Sequence, residues 1–174
     1  MGRGAESLLA GAGLALALAA TGVGAAPPDE PVHVEADRAE LDERRGIGVY
    51  TGRVRLRQGR LQAAGARLTL HTDAEGRLVR AVLTGAPATC RRAPVAGEKR
   101  AMECRARRLE FYPAQDRLVL TGAAELRQGP NLFRSEHIVY DLARELVQAD
   151  PGAAGGGRVR VTIEPRRGQE RAPQ

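Results

Sequence analysis

The chain has no tryptophan, three tyrosines and two phenylalanines, so aromatics are only 3% of its 174 residues. Its core must rest on Leu, Val, Ile and Ala, and any cavity these residues enclose is smooth and aliphatic. Without aromatic platforms between clustered cations, nucleic-acid binding by base stacking is disfavoured. Histidine is scarce too. His33 shares a strand face with Glu35, while His71 and His137 stand elsewhere, so no set of three has metal-ligand spacing. No serine lies in a nucleophile elbow, and there is no phosphate loop or dinucleotide fingerprint. The carboxylate pair Asp42-Glu43 falls in a turn sequence, where solvation accounts for it. Neither a metal, nor a cofactor, nor an enzyme activity is expected. Capped segments of 3.6 periodicity are absent beyond the N-terminal stretch, which excludes a helical bundle.

The first residues are of a different kind. Arg3 gives a positive start, Leu8–Ala20 is an unbroken run of small apolar residues, and "VGA" at Val23–Ala25 is a small-residue cleavage site. Residues 1–25 read as a secretory signal peptide cut between Ala25 and Ala26. The rival reading is a retained anchor, because the uncharged stretch from Ser7 to Pro28 is just long enough to span a bilayer. Removing Arg3 and Glu6 leaves the formal charge at +6. A basic exported protein is expected to meet polyanions. Its arginines are spread at strand spacing, however, not gathered into runs.

What the chain does have is a repeat. "VYTGRVRLRQG" begins at Val49 and "VLTGAAELRQG" at Val119. A shift of 70 also places Arg38 on Arg108, Glu40 on Glu110, and Leu68 and Leu70 on Ile138 and Tyr140. A weaker third copy, "VLTG", starts at Val82, so Thr-Gly pairs fall at 51, 84 and 121. Intervals of this size signal stacked repeats.

Each unit alternates with period two, the mark of a half-buried strand. Tyr50, Val54 and Leu56 share one face, with Arg53, Arg55 and Arg57 on the other. Leu118, Leu120, Ala124 and Leu126 share the equivalent face of the second copy. Ala66, Leu68 and Leu70 go together, as do Ile138 and Tyr140. Turn sequences such as "DERRG", "RQG" and "DAEG" recur every eight to twelve residues, as in a sandwich or barrel. "VYDLARELVQAD" has some helical character, but its repeat partner is strand-turn-strand, and so is its expected structure. Short hairpins stacked this way fold into a sheet with one interior seam and two exposed edge strands. "PVHVEAD", with Val32 and Val34, and "RVRVTIEP", with Val159, Val161 and Ile163, are the alternating segments at the two ends. The tail from Arg166 to Gln174 is polar and basic, of disordered composition.

Cys90 and Cys104 are the only cysteines. An even count in an exported chain points to a disulfide across the turn "APVAGEK". Strand parity points the other way. Counting back from Phe111 through Leu109, Arg107 and Arg105 places Cys104 on the opposite face, unless Pro87 and the turn break the count.

"EPVHVEADRAELDERRGIGVYTGRVRLRQG", "GAPAT", "ARRLEFYPAQDRLVLTGAAELRQG" and "GGRVRVTIEP" together resemble the LptA-type lipopolysaccharide transport proteins of the OstA-like superfamily. The resemblance runs over residues 30–165 in consistent order, with departures at Cys90, where a bulkier apolar residue is usual, and at Pro113, where an apolar strand residue is usual. It implies an all-β, half-open, twisted β-jelly-roll over residues 26–165. It further implies a periplasmic carrier that shields the acyl chains of lipopolysaccharide between an LptC-like inner-membrane protein and an LptD-like outer-membrane protein. Protomers would join end to end through edge strands, with Val32, Val34, Val159, Val161 and Ile163 at those edges. On the resemblance, Val32, Val34 and Phe111 line the groove. Parity and repeat register add Tyr50, Val54, Leu56, Leu68, Leu70, Leu118, Leu120, Leu126, Ile138 and Tyr140. Alternation alone favours an ordinary closed core for the same residues, and the resemblance favours the groove. Two other readings stand beside it: a membrane-anchored LptC-like sibling, and a periplasmic β-module that binds polyanions without a lipid cavity.

Overall fold

The computed structural model describes residues 31–94, 100–152 and 158–163. The signal-peptide and tail assignments lie outside them. The described chain is a sequence of strands: β1 (His33–Glu35), β2 (Arg38–Asp42), β3 (Ile47–Gln58), β4 (Leu61–Thr72), β5 (Leu78–Arg92), β6 (Met102–Tyr112), β7 (Arg117–Gln128), β8 (Asn131–Asp141), β9 (Leu146–Asp150) and β10 (Arg160–Thr162). A single 3-10 turn, Pro113–Gln115, joins β6 to β7. Among the described residues no helix is long and apolar enough to cross a membrane.

All ten strands belong to one antiparallel sheet in the order β1-β3-β4-β5-β6-β7-β8-β10, with β2 also on β3 and β9 also on β8. The short strands explain the architecture. β1 pairs with the C-terminal half of β3 and β2 with its N-terminal half. At the other end β10 pairs with the N-terminal half of β8 and β9 with its C-terminal half. Each long strand between them runs through both halves of a bent sheet. Half A holds β2, β9 and one half of every long strand, and half B holds β1, β10 and the other halves. The inner faces of the halves share one hydrophobic cluster, which makes this a twisted, half-open β-jelly-roll.

The repeated phrase builds the bend. β3 and β7 occupy equivalent positions 70 residues apart, and both pairings slip at the same place, between Thr51 and Val54 and between Thr121 and Ala124. In each, the Thr-Gly pair is followed by a bulge: Gly52 (φ +79) and Arg53 (φ +42), Gly122 (φ +85) and Ala123 (φ +49). An extra residue bends a strand and increases its twist. The third Thr-Gly pair, Thr84-Gly85, opens the register shift between β5 and β6 that ends at Ala88. Neighbouring groups tie the bulges down. The Asp37 carboxylate accepts from Arg53 Nη2 at 2.6 Å and from Arg53 Nε at 3.0 Å, and Asp37 N–H donates to the Gly52 carbonyl at 3.0 Å. At the second bulge Ala123 N–H donates to Glu136 Oε2 at 3.0 Å.

Gly52 is required here twice over. Its φ is left-handed, and a Cβ would lie 2.8 Å from Asp37 Cβ. Gly52→Ala is expected to destabilise the protein by about 1–2 kcal/mol, the cost of a left-handed non-glycine residue. Urea titration of the two proteins checks this, and an unchanged midpoint would contradict it.

The bends also correct two expectations from simple alternation. The inward phase carries through the bend on β3 and β7, but it changes on β4, β5, β6 and β8. On β4, Leu68 is buried while Ala66 is exposed, so Ala66 does not join Leu68 and Leu70. On β6, Leu109 and Ala106 are both buried and Arg107 is exposed. The parity count from Phe111 therefore fails at the slip between Arg105 and Arg108, and Cys104 faces inward. It is directly opposite Cys90, and the two form a disulfide with a Cα–Cα distance of 4.9 Å.

Candidate functional site

Residue pairing resolves the interior into cross-strand rows. In half A one row runs Ala39, Tyr50, Leu68, Leu83, Leu109, Leu120, Ile138, Ala149. The next runs Leu41, Gly48, Leu70, Ala81, Phe111, Leu118, Tyr140, Val147. In half B the facing row runs Val34, Leu56, Ala63, Cys90, Cys104, Leu126, Phe133, Val161. Each row crosses eight strands without a charged residue. Strands sit about 4.8 Å apart, so each row is an apolar track over 30 Å long.

The tracks are not uniformly covered. Leu120, Leu126 and Ile138 are fully buried, and Val54, Leu68, Leu118 and Tyr140 nearly so. Val34, Tyr50, Leu56, Leu70, Ala81 and Phe111 are half-buried against that cluster. At the ends, Leu41 is 64% exposed and Val161 47%. The interior is thus tight on β7 and β8 and opens toward β2 and β3 at one end and toward β10 at the other. Inward apolar side chains that water can reach are the physical requirement for a lipid groove, since a sealed core could admit nothing.

Of the residues expected to line a groove, Val32 alone stands apart. It precedes β1, is 44% exposed and lies outside the core cluster. Val159 and Ile163 flank β10 and are exposed, with Val161 inside it. Alternation missed Leu83, Ala88, Met102, Ala106 and Phe133, which are all inward. Leu83 was legible as the equivalent of Leu120 in the third repeat copy, "VLTG". The others follow a change of phase at the bend, for which the linear sequence carries no signal beyond the Thr-Gly pairs.

The outer face of half A carries the most buried charge. Glu110 accepts from Arg108 at 2.9 Å and also pairs with Arg80. Burial pushes the Glu110 carboxyl up, but hydrogen bonds from Arg80 and Arg108 outweigh it and hold the group below its usual range. Tyr112 is flanked by the guanidinium groups of Arg80 at 5.6 Å and Arg117 at 4.8 Å, a cation–π arrangement. These contacts stiffen the outside of the sheet and leave the interior uncharged.

The family model for the LptA/(LptD N-terminal domain) LPS transport protein matches residues 33–146. The chain belongs to this family. Among curated relatives, the lipopolysaccharide export system protein LptH of Pseudomonas aeruginosa is 36% identical over 149 residues, covering 84% of this chain and 83% of that one. The LptA protein of Escherichia coli K12, of the same export system name, is 28% identical over 145 residues, covering 82% and 76%. The crystal structure of LptH, described as the LptA homologous periplasmic component of a lipopolysaccharide transport device, superposes with a TM-score of 0.72 at 31% identity. The match covers 81% of this chain and all of that one. This member of the LptA/LptD N-terminal family therefore has its relatives' half-open β fold, and β1–β8 and the start of β9 fall within the matched region.

Proposed function

We propose that this protein carries lipopolysaccharide through the periplasm, holding the acyl chains against the inward rows while the phosphates and sugars stay in water. The observation that supports this reading is the set of three uncharged cross-strand rows, buried on β7 and β8 but only half-covered at Leu70, Ala81 and Phe111 and open at the ends. The energetics require such a device. An acyl chain of about a dozen methylenes exposes apolar surface at a cost on the order of 10 kcal/mol, and a groove open on one side removes that cost without dehydrating the headgroup. The export-system names of the relatives support the same cargo and compartment. The signal-peptide pattern, cleaved at Ala25/Ala26, supplies the route.

A photocrosslinking residue placed in turn at Leu70, Phe111 and Leu56 tests the reading against purified lipopolysaccharide. Val119 and Thr69, which alternate with the inward residues of β7 and β4, serve as outward controls. Inward positions are expected to crosslink and outward ones not. Equal labelling on both faces would overturn it.

The same reading places the protein in a chain of Lpt components, with an LptC-like protein on the inner-membrane side, an LptD-like protein on the outer-membrane side and further copies of itself between. β1 with β2 and β9 with β10 are the sheet ends, and unpaired edges invite strand addition. Deleting Arg158–Gln174 is expected to leave a folded protein whose concentration-dependent association weakens. Light scattering over a concentration series checks it, and an unchanged oligomer distribution would contradict the edge-strand proposal.

A further inference from the structure

A concavity of about 780 Å³ lies on the side of half B away from the apolar interior. Its floor is set by short side chains. Ala64 of β4 and Thr89 of β5 are direct partners, and Gln62 lies one step along β4. Arginines stand around this floor. Arg55 pairs with Ala64 and Arg57 with Gln62 from β3, Arg91 pairs with Gln62 from β5, and Arg105 pairs with Thr89 from β6. The low floor and tall cationic walls are what make this part of a sheet surface concave.

The charges here are largely uncommitted. Arg55, Arg57 and Arg91 make no ion pair with a described residue, and Arg105 has only a 4.0 Å approach to Glu125. Glu125 is itself held at 3.0 Å by Arg134. Arg57 and Arg91 flank the strand of Gln62, so their Cα atoms stand about 10 Å apart. Two guanidinium forks at that separation can converge on one tetrahedral anion, and Arg binds phosphate bidentately. Glu35 on β1 is the direct partner of Arg55 and Glu103 on β6 that of Arg91, so each borders the arginines on the side away from the floor. They interrupt the positive field, which selects a compact anion over a long polyanion. No tryptophan, tyrosine or phenylalanine lines the concavity.

We infer that this outer concavity is a phosphate-binding site, with Arg57 and Arg91 as the principal ligands and Arg55, Arg105, Gln62 and Thr89 completing it. The site is on the opposite face from the lipid rows and stands or falls independently of them. The phosphate could be free, or part of a phosphorylated headgroup presented from outside.

Amide chemical shifts of the folded protein, titrated with inorganic pyrophosphate, test the assignment. Saturable shifts are expected at Gln62, Ala64, Thr89 and Arg91. The double variant Arg57→Gln/Arg91→Gln is expected to weaken binding at least tenfold with an unchanged thermal midpoint. Arg38→Gln/Arg67→Gln, on the outer face of half A, is expected to bind like the parent. Glu103→Gln is expected to tighten binding several-fold. Absence of saturable shifts at the floor would overturn the inference, as would equal weakening in the half A variant, which would mean diffuse charge attraction. Purified lipopolysaccharide as a second titrant separates the sources. Competition with pyrophosphate at these amides identifies a headgroup phosphate, and shifts confined to interior residues identify a soluble one.

Discussion

Phe111→Glu is expected to reduce lipopolysaccharide binding at least tenfold while the protein stays folded. Phe111 lies in the inward row between Ala81 and Leu118, yet it is only half-buried against the core cluster. A carboxylate there can be hydrated in the empty protein through the open side. Once acyl chains fill the space it cannot, and burying an unpaired charge costs several kcal/mol. The fully buried Leu120 makes the contrast. Leu120→Ala leaves a void between the halves and is expected to cost about 2–5 kcal/mol of stability. Thermal unfolding and lipid binding are measured on both variants. If Phe111→Glu unfolds the protein as severely as a charge in a sealed core would, the interior is an ordinary core. If it leaves both stability and binding intact, Phe111 lies off the lipid path.

Replacing both Cys90 and Cys104 by Ala is expected to lower the thermal midpoint by about 10 °C. The bond closes a loop of sequence separation 14, and in the chain-entropy model such a loop contributes about 3 kcal/mol by restricting the unfolded chain. The pair sits within the inward row of half B, between Ala63 and Leu126, and both residues are buried. Alanine keeps the site apolar, so the comparison isolates the crosslink. The matching measurement is the parent protein under reducing conditions, where the midpoint should fall to the same value. A variant as stable as the oxidised parent would show that β5 and β6 are held by pairing and burial alone.

The sequence by itself determined the strands, the repeat and most of the inward residues within each half-strand. Leu68, Leu118, Leu120, Leu126, Ile138 and Tyr140 follow from a period of two because each stretch between bends is regular β structure, and side chains there must alternate. The Thr-Gly pairs were legible as landmarks, since a glycine with left-handed φ is a local chemical requirement. The family was legible too, because it lies in the order of such motifs along the chain. What happens to the alternation across a bend was not. The inward phase continues through β3 and β7 and switches on β4, β5, β6 and β8, because a bulge is a mismatch in residue count between two partners, and neither strand alone contains it. That mismatch turned Ala66 outward, brought Cys104 inward to face Cys90 and gathered Ala88, Ala106 and Phe133 into the interior. The outer arginines show the same limit. Their spacing in the sequence reads as a solvated face, and only the lateral register places Arg55, Arg57, Arg91 and Arg105 from three strands around one floor. Alternation is a property of one strand, whereas a row, a bend or a binding surface belongs to several strands at once, and only the packed sheet sets it.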